Sequence, residues 1–145
     1  MSAFEFGHGV RLLWTAYTPT LKAVTSDPTL GSGSSAAAAY AVLGDLIIVR
    51  FGFVFGSSGA NAGSGSYYIA PPVGTIHADS QRFHGSCFLY DSSASLGLTG
   101  VCDLDVANER IYFWAHNVTG QVQHATPFAW TNNDQLHGGF EYRNG

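Results

Sequence analysis

Residues 46–55 read Leu-Ile-Ile-Val-Arg-Phe-Gly-Phe-Val-Phe, and this segment constrains the chain more than any other. Its odd positions, Ile47, Val49, Phe51, Phe53 and Phe55, are all apolar. Successive side chains of a strand point to opposite faces, so one face of a strand here must be buried. The even positions, Leu46, Ile48, Arg50, Gly52 and Val54, are apolar at both ends around a single charge. That second face is expected to be covered in part, either by a central place in a sandwich or by a second chain.

The rest of the chain punctuates in the same way. Short β-branched or aromatic runs are bounded by Gly, Pro, Asn, Asp and Ser at Val10–Tyr17, Leu21–Thr25, Tyr67–Ala70, Arg82–Tyr90, Gly100–Leu104, Arg110–Ala115, Gln121–Ala125 and Gly138–Tyr142. Helical periodicity is nearly absent. The Ala36–Ala39 run has helix propensity, but it sits between Gly33 and Gly44 and is too short to hold a helix alone. About nine short strands predict a single antiparallel β-sandwich, jelly-roll-like. The Gly- and Ser-rich stretch 56–65 reads as a flexible loop joining two strands inside one domain.

A chain of 145 residues is long enough to bury one self-sufficient core. Charged residues make up only 11% of it, under half the usual share of about 25%. Six Lys and Arg, scattered through a chain of net charge −4, leave no electrostatic footprint for nucleic acid. No apolar run approaches the roughly 20 residues of a bilayer span, so no membrane partner is expected. Residues 1–20 lack the basic-then-apolar order of a secretory signal. Ten Phe, seven Tyr and three Trp argue against disorder.

Motifs for chemistry are weak. Gly59–Gly65 and Gly31-Ser-Gly lack the Gly-Lys-Ser/Thr ending of a phosphate loop, and no cofactor is expected. The pairs His77/His84 and His116/His124 have no metal-ligand spacing. Asp103 and Asp105 straddle Leu104, which in a strand puts both carboxylates on one face about 6–7 Å apart. Such a pair serves calcium binding or acid–base work, but turn-type neighbours favour a structural role. No nucleophile elbow is present, and the chain is read as no enzyme. Cys87 and Cys102 suit buried thiols or a strand-to-strand bridge. Trp14, Trp114 and Trp130 with Tyr17, Tyr67, Tyr68 and Tyr112 suit a core, a subunit interface or a sugar-stacking platform.

One constellation extends over most of the chain. It begins Trp14-Thr-Ala-Tyr-Thr-Pro-Thr-Leu21 and Thr25-Ser-Asp-Pro-Thr-Leu-Gly-Ser-Gly33. It continues through Tyr40-x-x-x-Gly-Asp-Leu46, Phe55-Gly56, Gly63-Ser-Gly-Ser-Tyr67 and Pro71-Pro-Val73 to Pro127-Phe-Ala-Trp130 and Asp134. This resembles a β-sandwich module of virion proteins from phages infecting actinobacteria, found in minor tail proteins and fibre tips. The resemblance implies a homotrimer displayed on the virion, with Pro19, Pro28, Gly31 and Gly33 setting turns. Gly63 and Gly65 would relieve crowding, and Pro71–Pro72 would end a strand.

Only about 13 residues precede the resembling part. They are read as an extended N-terminal arm, residues 1–13, ahead of a domain over 14–145. Phe4, Phe6, Val10, Leu12 and Leu13 make the arm apolar, with Gly7 and Gly9 between, as suits attachment to another protein by laying down or adding a strand. Leu46, Ile48, Arg50 and Val54 are the candidate subunit interface. The expected function is capsid decoration, with the major capsid protein or a tail protein as partner. The alternative is a minor tail or fibre-tip protein that binds a host-cell receptor or glycan through loops such as 56–65 and 91–97.

Overall fold

The computed structural model describes residues 11–145. Among them there is no helix, and the strands are β1 (Trp14–Tyr17), β2 (Lys22–Ala23), β3 (Ser35–Leu43), β4 (Leu46–Val54), β5 (Tyr67–Ile69), β6 (Phe83–Asp91), β7 (Leu96–Asp105), β8 (Arg110–Ala115) and β9 (Gln135–Arg143). All pair antiparallel in one nine-stranded sheet of order β1-β3-β4-β9-β6-β7-β8-β5-β2. The all-β, antiparallel expectation holds, with the strands joined in one curled sheet.

Curling follows from connectivity. β1 and β2 occupy opposite edges, yet only Thr18–Leu21 separates them in the chain. Five residue steps reach at most about 18 Å, whereas the edges of a flat nine-stranded sheet would lie about 38 Å apart. The sheet must therefore wrap until its edges approach. Phe51 of β4 and Phe113 of β8 register the same closure. Three strands intervene between theirs, but the ring centroids meet at 5.5 Å across the core.

The odd positions of β4 line that core as the alternation demands, with Phe53 fully buried and Ile47 and Val49 nearly so. Leu89, Ile111, Phe113 and Leu136 face them from β6, β8 and β9. A two-residue turn joins β3 to β4, with Gly44 supplying the positive φ of 64° at its first position. The alanine run is strand, in β3: all of Ala36–Ala39 pair with β4, and Ala38 and Ala39 pair with β1 as well, so ladder bonds outweigh a weak helix preference. Gln121–Ala125 is not a strand, which corrects the expectation. Val122 donates to Phe113 and accepts from Tyr67, but Gln123 and Thr126 then close a turn that ends the pairing.

Segment 56–65 is tied down along its length. It exchanges backbone bonds with 25–32, through bridges at Ser26–Ser64, Thr29–Asn61 and Ser32–Ser58. Gly63 shows why glycine is needed: its φ is +66°, and a Cβ there would lie 2.2 Å from the Ser26 carbonyl oxygen. Replacing it with Ala forces a left-handed conformation and a backbone clash together. Gly63→Ala is expected to cost about 2 kcal/mol or more, read as a lowered urea midpoint with an unchanged slope.

Buried Asp134 ties three loops together. Its carboxylate accepts the N–H groups of Ser92 at 2.9 Å and Thr131 at 2.7 Å, and its carbonyl accepts that of Phe55 at 2.8 Å. Burial pushes its carboxyl above the ordinary range, although the two N–H bonds pull the other way. Cys87 and Cys102 are free, buried thiols on adjacent strands. The hydrogen-bonded Cys87 sulfur and burial raise the Cys102 thiol far above its ordinary range, which keeps it protonated and unreactive.

Candidate functional site

The face of β4 turned away from the core gathers four of the residues singled out by sequence. Leu46, Ile48 and Val54 are half-buried and Arg50 is exposed, all on one side by alternation. Register extends this outer face across neighbouring strands. Arg50 lies between Ala39 of β3 and Gly139 of β9, Ile48 between Ala41 and Glu141, and Gly52 beside His137. Small residues beside Arg50 leave its side chain standing above a shallow floor. Its guanidinium sits 4.8 Å over the Trp14 ring from edge strand β1, a geometry that attracts a cation to the aromatic face.

Arg50 is also a wall of three adjoining depressions. One, of about 500 Å³, runs past Ile48, Phe83, His84, Ser86 and Glu141. A second, of about 530 Å³, passes Ser86, Phe88, Thr99, His116 and His137. The third, of about 410 Å³, crosses Ala37, Ala39 and Gly52. Their breadth and lack of enclosure suit a protein surface more than a small ligand. Exposed apolar side chains border them: Phe83 is 54% exposed, Phe88 42% and Trp14 40%.

The candidate attachment residues fare differently. Phe4, Phe6 and Val10 lie outside the described residues. Leu12 is half-buried, and Leu13 is 80% exposed just ahead of β1.

A second cluster occupies the outer face of β7 and β8. Asp103 and Asp105 do share a face and a cavity of about 340 Å³. Asp103 is almost fully buried and saturated. Arg82 grips it through Nε at 3.0 Å and Nη2 at 2.7 Å, and the Trp114 indole donates to it at 2.8 Å. Asp105 instead accepts the backbone N–H and side-chain amide of Asn108 in the β7–β8 turn. The paired carboxylates were readable from alternation, whereas Arg82 and Trp114 were not. They reach Asp103 from β8 and the start of β6 only through strand register.

The aromatic residues divide between core and surface. Trp130 is buried against Phe55, Tyr67 and Phe128, while Trp14 and Trp114 lie on the outer face. The histidines are scattered into local bonds, His77 to Asp79, His116 to Thr99 and His124 to the Gly65 N–H. Among the described residues no three His, Cys, Asp or Glu side chains form a metal-binding group. No protein family, curated protein or solved structure matches the chain in comparisons of sequence and fold.

Proposed function

We propose that this chain is a structural protein of a phage virion, a homotrimer displayed on the particle surface that decorates and stabilises the capsid. The observation that carries the reading is the outer face of β4. Leu46 and Ile48 at one end and Val54 at the other are apolar side chains that nothing among the described residues covers fully. Single exposed apolar residues are ordinary, but apolar side chains at both ends of one face of an internal strand favour association. Small neighbours on β3 and β9 let a flat partner approach, and Arg50 at the centre gives the contact a register.

On this reading the wrapped sheet closes in the manner of a jelly-roll sandwich, β3, β4 and β9 facing β7, β8 and β5 across the core. Residues 1–13 hold the trimer to the major capsid protein or a tail protein, three arms binding together by avidity. Removing residues 1–12 is expected to leave the trimer folded and abolish its co-sedimentation with virus particles. Undiminished co-sedimentation would refute attachment by the arm.

The alternative reading is a minor tail or fibre-tip protein that engages a host-cell receptor or glycan. The exposed aromatic residues Trp14, Phe83 and Phe88 on the outer face favour it. Immunogold labelling of intact virions separates the two, with gold over the head supporting decoration and gold at the tail tip supporting the alternative.

A further inference from the structure

We propose that the cavity on the outer face of β7 and β8 binds a neutral sugar residue, presented by a glycan. The site lies three to four strands from β4 along the sheet. Its lining residues are distinct from Leu46, Ile48, Arg50 and Val54 of the proposed subunit contact.

The first argument is the kind of polar group that converges there. Arg82 offers donors, Asp105 offers acceptors, and the Gln121 amide offers both, around a cavity of about 340 Å³ walled by Tyr112. A sugar hydroxyl both donates and accepts, so a ring carrying several of them needs this mixture. Arg82 uses Nε and Nη2 on Asp103, which leaves Nη1 for another acceptor. The volume is at the small end for ligand clefts and suits one ring better than an extended chain.

The second argument is preorganisation. Three of the polar lining groups, Arg82, Asp105 and Tyr112, are already held by a partner. Asp103 fixes the Arg82 fork, Asn108 fixes Asp105, and Arg110 donates to the Tyr112 hydroxyl at 3.1 Å. Arg110 in turn stacks 4.2 Å over the Tyr68 ring, which meets Tyr112 at 5.7 Å. Polar groups immobilised before a ligand arrives lose little entropy on binding it. An ion pair serving only to pin β6 onto β7 requires Arg82 and Asp103, but not a fixed Asp105 and Tyr112 around the same space.

Charge and apolar surface select the ligand class. The two carboxylates of Asp103 and Asp105 are offset by the guanidinium groups of Arg82 and Arg110, so the cluster exerts no net pull on an ion. Val106 and the Tyr112 ring line the same cavity and supply apolar surface for sugar C–H groups. Hydroxyls with a C–H face and no charge describe a neutral pyranose.

Saturation-transfer difference NMR on the full chain tests this. The probes are the methyl glycosides of glucose, galactose, mannose, rhamnose and N-acetylglucosamine, with methyl glucuronide as the charged comparison. At least one neutral glycoside is expected to receive saturation with a millimolar dissociation constant. Gln121→Ala and Asp105→Asn are each expected to weaken it about tenfold, the loss of one hydrogen bond, with the melting temperature and oligomeric state retained. Silence from every neutral glycoside, binding unchanged in both variants, or preference for the glucuronide would overturn the proposal. None of those results bears on the trimer.

Discussion

Ile48→Asp is expected to convert the proposed trimer to monomers without unfolding them. Ile48 is half-buried on the outer face of β4, so its removal takes nothing from the core, whose β4 contribution comes from Ile47, Val49, Phe51 and Phe53. In the assembly the new carboxylate sits in an apolar contact beside Glu141, its cross-strand partner, and must be desolvated next to a like charge. Repeated in three copies, a penalty of several kcal/mol per subunit raises the dissociation constant about a thousandfold or more. Sedimentation velocity at micromolar concentration reads the change directly. A wild-type chain that sediments as a monomer, or a variant that stays trimeric, would remove the β4 face from the proposal. Arg50→Ala provides the milder counterpart, because it deletes the polar centre and leaves the apolar side chains in place.

Phe113→Ala is expected to have the largest effect on folding. Phe113 is fully buried on β8 and meets Phe51 of β4 across the wrapped sheet. Truncation removes the contact through which the two halves of the sheet are packed, and it leaves a cavity between strands that neighbouring ladders prevent from collapsing. Phe→Ala changes at such sites cost about 3–5 kcal/mol, a large share of the 5–15 kcal/mol that holds most domains together. Equilibrium urea unfolding would show the midpoint falling by about 1–3 M. A loss below about 1 kcal/mol would mean that the two rings do not bridge a common core.

Much of this architecture is legible one strand at a time. Alternation over 46–55 places Ile47 and Phe53 inside and Arg50 outside without reference to any other segment, and the structure keeps that assignment. It also puts Asp103 and Asp105 on one face. Where the local signal misleads, backbone hydrogen bonding has prevailed over composition. Ala36–Ala39 carry helix propensity but become strand because β4 pairs with all four and β1 with Ala38 and Ala39. Gln121–Ala125 has strand composition but is turned aside by the bond pair between Gln123 and Thr126.

The sugar site shows the same division. Its carboxylates follow from a period of two, while Arg82 comes from a residue 21 positions away and Trp114 from 11. Their meeting depends on how β6, β7 and β8 are aligned. Likewise, nothing local in Phe51 or Phe113 requires the two to touch.

Residue order alone therefore determined the strand faces, the turn positions and the all-β class, because each depends on side-chain direction over a few consecutive residues. The wrapping of the sheet, the pairing of Asp103 with Arg82 and Trp114, and the convergence of depressions on Arg50 were decided only in three dimensions. They depend on which strands become neighbours, and that is set by cooperative burial over the whole chain.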